Sequence, residues 1–163
     1  MNREIKFRAF IPDANLMLDR VTVYADGTIG VSSDDLSLAV NQAGLVLEDD
    51  CIRDKKGNHL VNILSGEDWY WIEDGHYNVL EFTGRKDKAG KDIYEGDRVR
   101  WKTYEYDFDK PEGEERHEVV KESEIEFRGK GFWVKDECFG WEGEGLWDWD
   151  EIEVIGNIYE NKL

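Results

Sequence analysis

Phe82-Thr83-Gly84-Arg85-Lys86-Asp87-Lys88-Ala89-Gly90-Lys91-Asp92-Ile93-Tyr94-Glu95-Gly96-Asp97-Arg98-Val99-Arg100-Trp101 is the run that decides the fold. Asp87 to Lys91 reads as a turn. Its aspartate is placed to accept hydrogen bonds from the amides that follow, and its glycine can take a left-handed backbone. Ile93 and Tyr94 are apolar enough to anchor the turn in a core. Glu95-Gly96-Asp97 then redirects the chain into a strand. From Asp97 to Tyr106 the pattern alternates: Val99, Trp101 and Thr103 on one side, Arg98, Arg100 and Lys102 on the other. A Gly-Asp-x-Val step of this kind often opens a small SH3-like barrel, so a partly open barrel is expected here.

The same alternation extends outward in both directions. Ile5, Phe7, Ala9 and Ile11 share one face of a strand, with Lys6, Arg8 and Phe10 on the other. Pro12 to Asn15 is a turn. Val21–Tyr24 and Thr28–Val31 flank Asp26-Gly27, a hairpin signal. Cys51–Arg53 and Leu60–Leu64 flank a second turn, Asp54 to Asn58. Trp69–Ile72 and Tyr77–Phe82 are aromatic and β-branched, as strands are. Ser33-Asp34-Asp35 can cap a short helix, yet Leu36, Leu38 and Val40 alternate as a strand would, so Ser32 to Asp50 reads as a strand or a single helical turn. Toward the carboxy terminus, Asp107 to Arg116 is an acidic loop, Val119–Phe127 a strand, and Gly129-Lys130-Gly131 a turn into Phe132–Val134. Gly140 to Gly145 is a loop, Leu146 to Glu151 one helical turn, and Glu153–Tyr159 the last strand. The expected class is mainly β with few short helical turns. Residues 1–80 form a hairpin-rich part and 81–163 the barrel-like part, or the two form one continuous unit.

Composition narrows the function. The 163 residues suffice for a core without disulfide staples. The two cysteines, Cys51 and Cys138, lie far apart and lack metal-ligand spacing, which suits a reducing compartment. Met1 to Arg8 carries no apolar signal region, and no run is long enough to span a membrane. A cytoplasmic protein with no membrane association is expected. The net charge of −17 repels nucleic acid at long range. Within it, 82–102 holds seven bases and four acids, 104–126 ten acids and three bases, and 137–153 seven acids and no base.

Three segments resemble the YopX-like family of phage and prophage proteins. They are Ile5-Lys6-Phe7-Arg8-Ala9-Phe10 with Met17, the run from Phe82 to Val99, and Ile152-Glu153-Val154-Ile155-Gly156-Asn157-Ile158-Tyr159-Glu160-Asn161. Phe10 and Ile11 stand where the family tends to have Trp-Asp. The resemblance implies a mainly β phage or prophage protein acting in the bacterial cytoplasm. It supplies no reaction and no catalytic residues.

Catalytic chemistry is correspondingly thin. His59, His76 and His117 make no zinc motif, and there is no phosphate-binding glycine loop. Asp107, Asp109, Glu115 and Glu118 sit at calcium-loop spacing, but Pro111 and Glu112 occupy positions that such a loop reserves. Glu142/Glu144 and Asp148/Asp150 read as solvated pairs, and Trp133, Trp141, Trp147 and Trp149 as core or interface. No enzyme activity, cofactor or metal is expected. The protein is expected to bind a host or phage macromolecule, with its acidic last third offered to a basic partner; self-association is a further expectation. The alternatives are an acidic DNA mimic and a nucleic-acid-binding module. The latter would use Arg85, Lys86, Lys88, Lys91, Arg98, Arg100 and Trp101, although the same bases can instead pair with the protein's own carboxylates.

Overall fold

The computed structural model describes residues 6–73, 75–106, 116–128, 131–135 and 151–160. The chain separates into two compact units, Met1–Phe82 and Thr83–Leu163. Among the described residues no helix is long and apolar enough to cross a membrane.

The first unit begins with β1 (Phe7–Ile11), a 3-10 turn (Pro12–Ala14), β2 (Leu16–Val23) and β3 (Ile29–Ser32). The chain continues through helix α1 (Ser33–Gln42), β4 (Val46–Glu48), β5 (Cys51–Arg53) and β6 (His59–Asn62). Then come β7 (Leu64–Ser65), β8 (Trp69–Ile72) and β9 (Asn78–Lys86), which runs on into the second unit. Within this unit the strands of the main antiparallel sheet lie in the order β9-β1-β2-β3-β8-β7, and β4-β5-β6 form a small sheet of their own. Ala9 and Ile11, together with half-buried Phe7, join Leu18, Ile29, Val31 and Ile72 in one apolar cluster. The alternation of the first strand therefore places its apolar side chains as expected. Both turns of aspartate read from sequence form as hairpins. Asp26 Oδ1 accepts from the Thr28 amide at 3.0 Å, and Asp54 Oδ1 from the amides of Lys56 and Asn58 at 2.8 and 2.9 Å. β8 and β9 are close in sequence but not neighbours in the sheet: β8 pairs with β3 and β7, β9 with β1.

Ser32 to Asp50 differs from expectation. Ser33–Gln42 is a ten-residue helix, not a strand or a single turn. Ser32 Oγ accepts from the Asp35 amide at 3.2 Å and donates to Asp35 Oδ2 at 2.8 Å, which caps the first turn. Leu36 and Val40, four apart, are buried in the cluster, while Leu38 between them is 55% exposed. The apparent alternation at 36, 38 and 40 was thus one helical face plus one exposed leucine. Ser32→Ala is expected to cost the first unit about 1 kcal/mol, readable as a lower urea midpoint with an unchanged slope.

The second unit continues β9 into β10 (Asp92–Tyr94), then β11 (Asp97–Tyr106), β12 (Arg116–Arg128), β13 (Gly131–Val134) and β14 (Glu153–Asn157). Its four-stranded antiparallel sheet has the order β13-β12-β11-β14. Among the described residues this sheet is open and does not close into a barrel. Ile93, Val99, Trp101, Ile125, Val134 and Ile152 form its core. The readings made for Ile5, for 107–115, for Gly129 and Lys130, for 136–150 and for Asn161 lie outside the described residues.

Candidate interaction surface

The turn between β9 and β10 is built around Asp87. Its own amide donates to the Lys91 carbonyl at 2.8 Å, and the Gly90 amide donates to the Asp87 carbonyl at 2.9 Å. Gly90 takes φ +82°, a conformation that L side chains resist. Asp87 Oδ1 accepts from the amides of Ala89 and Lys91, both at 2.9 Å. Oδ2 accepts from the Val154 amide of β14 at 3.1 Å. Burial pushes this carboxyl upward, but the amides of Val154, Lys91 and Ala89, with the Lys91 charge, hold it below the ordinary carboxylate value. The Lys88 amide, donating to the Ile152 carbonyl at 2.8 Å, ties the same turn to the residue just before that strand.

Ten residues on, the entry to β11 repeats the arrangement. Gly96 takes φ +78°, donates to the Ile125 carbonyl at 2.7 Å and accepts from the Ile158 amide at 2.9 Å. The Asp97 side chain is buried. Its Oδ2 accepts from the Tyr94 amide at 2.9 Å and its Oδ1 from Asn157 Nδ2 at 3.1 Å. Asn157 Oδ1 in turn accepts from the Tyr159 amide at 2.9 Å. Asp87 and Asp97 are thereby committed to backbone and amide donors of their own unit.

The basic side chains lie outside this framework. Arg98, Arg100 and Lys102 project from the face of β11 opposite the core. Their partners across the ladder are Glu124, Glu122 and Val120 of β12. Glu122 lies 2.7 Å from Arg100 and 4.0 Å from Arg98. Lys102 meets Glu118 at 2.8 Å, and this hydrogen bond, then the charge behind it, raises the lysine above its ordinary value. Just after β13, Lys135 meets Glu124 at 2.9 Å. In the β9–β10 hairpin, Lys86 meets Asp92 at 2.5 Å. Lys88 meets Glu153 of β14 at 2.7 Å and, with help from Arg100, lowers that carboxyl. Glu153 stands beside Arg100 in the ladder. The run Lys88–Glu153–Arg100–Glu122–Arg98 therefore alternates in sign across the β9–β10 turn and three strands, β14, β11 and β12. Arg85 and Lys91 are exposed and meet no carboxylate at ion-pair distance among the described residues.

Trp101 does not belong to this surface. It points to the opposite side of β11 from Arg100 and Lys102, and at 6% exposure it is part of the core. This corrects its place among the candidate binding residues: strand alternation sends it inward, so it offers no ring to a ligand. Exposed pairs of this kind contribute about 0–1 kcal/mol each to stability. Their consequence is electrostatic. A phosphate approaching β11 meets carboxylates already seated on its cations.

The other candidates do not assemble. His59 Nε2 bonds Asn62 Oδ1 at 2.7 Å, His76 lies 3.9 Å from Asp13, and His117 is exposed on β12. Among the described residues there is no group of three or more His, Cys, Asp or Glu able to hold a metal ion. Cys51 is buried as a free thiol that donates to the Glu48 carbonyl at 3.2 Å. Of the calcium-spaced carboxylates, only Glu118 falls among the described side chains, and it serves Lys102. Trp133 is exposed on β13; Glu142, Glu144, Asp148, Asp150, Trp141, Trp147 and Trp149 lie outside the described residues.

One surface was missed by the reading of charges. Tyr24, Leu64 and Trp69 are exposed on the first unit. A signal was present: Trp69 and Trp71 alternate with Tyr70 and Ile72, and only one of those two faces can be buried in a strand of a sheet packed on one side.

A family model described as YopX protein matches residues 6–163. Among solved structures, the chain is similar to the crystal structure of protein EF1440 from Enterococcus faecalis. The two share 24% identity over 98% of this chain and 96% of that one, with a TM-score of 0.54, which supports a shared fold. No curated protein matches the chain.

Proposed function

The chain belongs to the YopX family, and on that premise we propose that it is a phage or prophage accessory protein that works without catalysis. It acts in the bacterial cytoplasm by binding a basic region of a host or phage protein. The observation that carries this reading is the pairing of its one basic segment. Lys86, Lys88, Arg98, Arg100 and Lys102 already have carboxylate partners. Apart from Arg85 and Lys91, what remains to be complemented is mostly acidic, in a chain with 38 acids and 21 bases. The carboxylates that stand closest to the signature turns, Asp87 and Asp97, are spent on holding backbone, which supports a structural role for that run. The alternation of sign across β14, β11 and β12 also counts against an evenly acidic DNA-like face in this part of the molecule.

The test is affinity capture from phage-infected host lysate with the full chain as bait, beside filter binding of DNA and RNA at low salt. We expect a basic protein to be retained, equally by a Lys86→Glu/Arg98→Glu/Arg100→Glu variant, and no nucleic acid to be retained at salt low enough to maximise the electrostatic term. Nucleic acid held by the parent chain and released by the variant would overturn the reading in favour of the Arg85–Lys102 patch.

A further inference from the structure

The outer face of the first unit's sheet carries an aromatic shelf built over two glycines. Gly30 of β3 lies between Thr22 of β2 and Trp71 of β8. A side-chain carbon at Gly30 would stand 2.9 Å from the Tyr24 ring and 3.6 Å from Trp71 Nε1. One at Gly66 would stand 2.6 Å from the far edge of the Trp71 indole. The indole thus reaches from Gly30 to Gly66 and rests on backbone, with the Tyr24 ring beside it. Trp69, two residues earlier on the same face of β8, is 42% exposed. Leu64, opposite Trp71 on β7, is 55% exposed, and Tyr24 is 42% exposed. The core does not require these side chains, because Ile72 and Tyr70 on the other face of β8 supply its contacts.

The charge around the shelf is mostly negative. Residues 22–36 and 64–73, which make β3, β7, β8 and the turns beside them, hold six acids and no lysine or arginine. The Ser33 amide donates to the Asp68 carbonyl at 3.0 Å, which brings the Glu67-Asp68 corner to the start of α1 beside Asp34 and Asp35. Glu73 directly follows Ile72, the last residue of β8. Arg20 of β2 is bonded to Asp35. β7 is the edge of the sheet, so an extended segment can lie along it.

We infer that this shelf is a docking surface for an extended, arginine-bearing segment of a partner protein. Guanidinium groups stack on indole and phenol faces, and carboxylates at both ends of the shelf meet their charge. A purely apolar occupant would strip water from those carboxylates without pairing them, and an acidic or nucleic-acid occupant would be repelled. The inference rests on the protein-binding reading above and adds the surface and the partner's chemistry.

The test is titration of the full chain with a short peptide alternating arginine with serine and valine, read from the indole N–H resonances. We expect the Trp69 and Trp71 signals to move and that of Trp101 to stay. Trp69→Ser/Leu64→Ser, which alters two exposed positions, should weaken binding about tenfold. Val120→Ser, on the second unit, should change it less than about twofold. Absence of binding would overturn the shelf, as would equal affinity in the double variant or shifts confined to other tryptophans. A captured lysate protein held equally by the double variant would remove the shelf and leave the protein-binding function standing. Peptide bound at the shelf, with no protein captured from lysate, would do the reverse.

Discussion

Asp87→Ala lowers the stability of the Thr83–Leu163 unit by about 4 kcal/mol. Three backbone amides lose a charged acceptor in one substitution: Ala89 and Lys91 within the turn, and Val154 across from it on β14. A hydrogen bond to a charged group contributes about 1.5–3 kcal/mol. The two turn amides recover part of that from water, whereas the Val154 amide sits inside the ladder and does not. Asp87→Asn keeps the shape and one acceptor oxygen but turns an amide donor toward one of the three N–H groups, so it should fall between the parent and the alanine variant. Urea unfolding followed by circular dichroism measures the series. A loss below about 1 kcal/mol for Asp87→Ala would place the signature's role elsewhere.

The same group gives the unit an acid dependence of definite sign. The folded carboxyl is held below its ordinary 3.8, with burial opposing the shift and the three amides producing it. Its contribution is therefore complete above the unfolded value. It is lost as pH falls through the folded value, when the proton displaces the amide hydrogen bonds. The parent should lose stability below about pH 4 more steeply than Asp87→Ala, and the gap between the two curves should narrow in acid. At neutral pH the gap between them is full.

Asp87 and Asp97 share a consequence. One bonds the Val154 amide and the other the Asn157 side chain, so both fasten β14 to the start of the unit. The segments that carry the family resemblance at 82–99 and 152–161 are thus one structural device, although more than fifty residues separate them. The aspartates read as turn-makers do make turns. They also serve as clamps for a strand distant in sequence, and no local pattern announces that second role.

What was legible follows from this distinction. The alternation of Phe7, Ala9 and Ile11, the Asp26-Gly27 and Asp54 turns, and the Asp87 turn are local, and each formed as read. The helix Ser33–Gln42 was obscured because Leu38 happens to be apolar on an exposed face, which mimics period two over the short span from Leu36 to Val40. The β4–β5 turn was obscured because Asp49 and Asp50 both adopt positive φ, at 50° and 54°, where Asn-Gly is the usual signal. At the candidate surface, the clustering of bases and their pairing with the chain's own carboxylates could be read from sequence, but the identity of the partners could not. Glu122, Glu118 and Glu153 come from other strands, and only the register of β11 with β12 and β14 brings them into place. The shelf at Tyr24 and Trp71 depends likewise on two glycines whose rings arrive from elsewhere in the sheet.

Trp101→Ala provides the sharpest separation between a core residue and a binding residue, with an expected loss of about 4 kcal/mol. The indole is packed in the cluster formed by Ile93, Val99, Ile125, Val134 and Ile152. Removing it deletes the largest side chain of that cluster and leaves a cavity the sheet cannot fill by small shifts. Trp101→Phe, which retains a ring but not its full volume, should cost less than half as much. Its neighbours in sequence make the internal control. Arg100→Ala and Lys102→Ala each break one exposed ion pair on the opposite face of β11 and should change stability by less than about 1 kcal/mol. A stacking platform would give the reverse order: little change in stability at position 101, and weaker retention of single-stranded nucleic acid at low salt. A strand that sends its tryptophan inward and pairs its cations outward leaves neither the ring nor the charge that such a ligand needs.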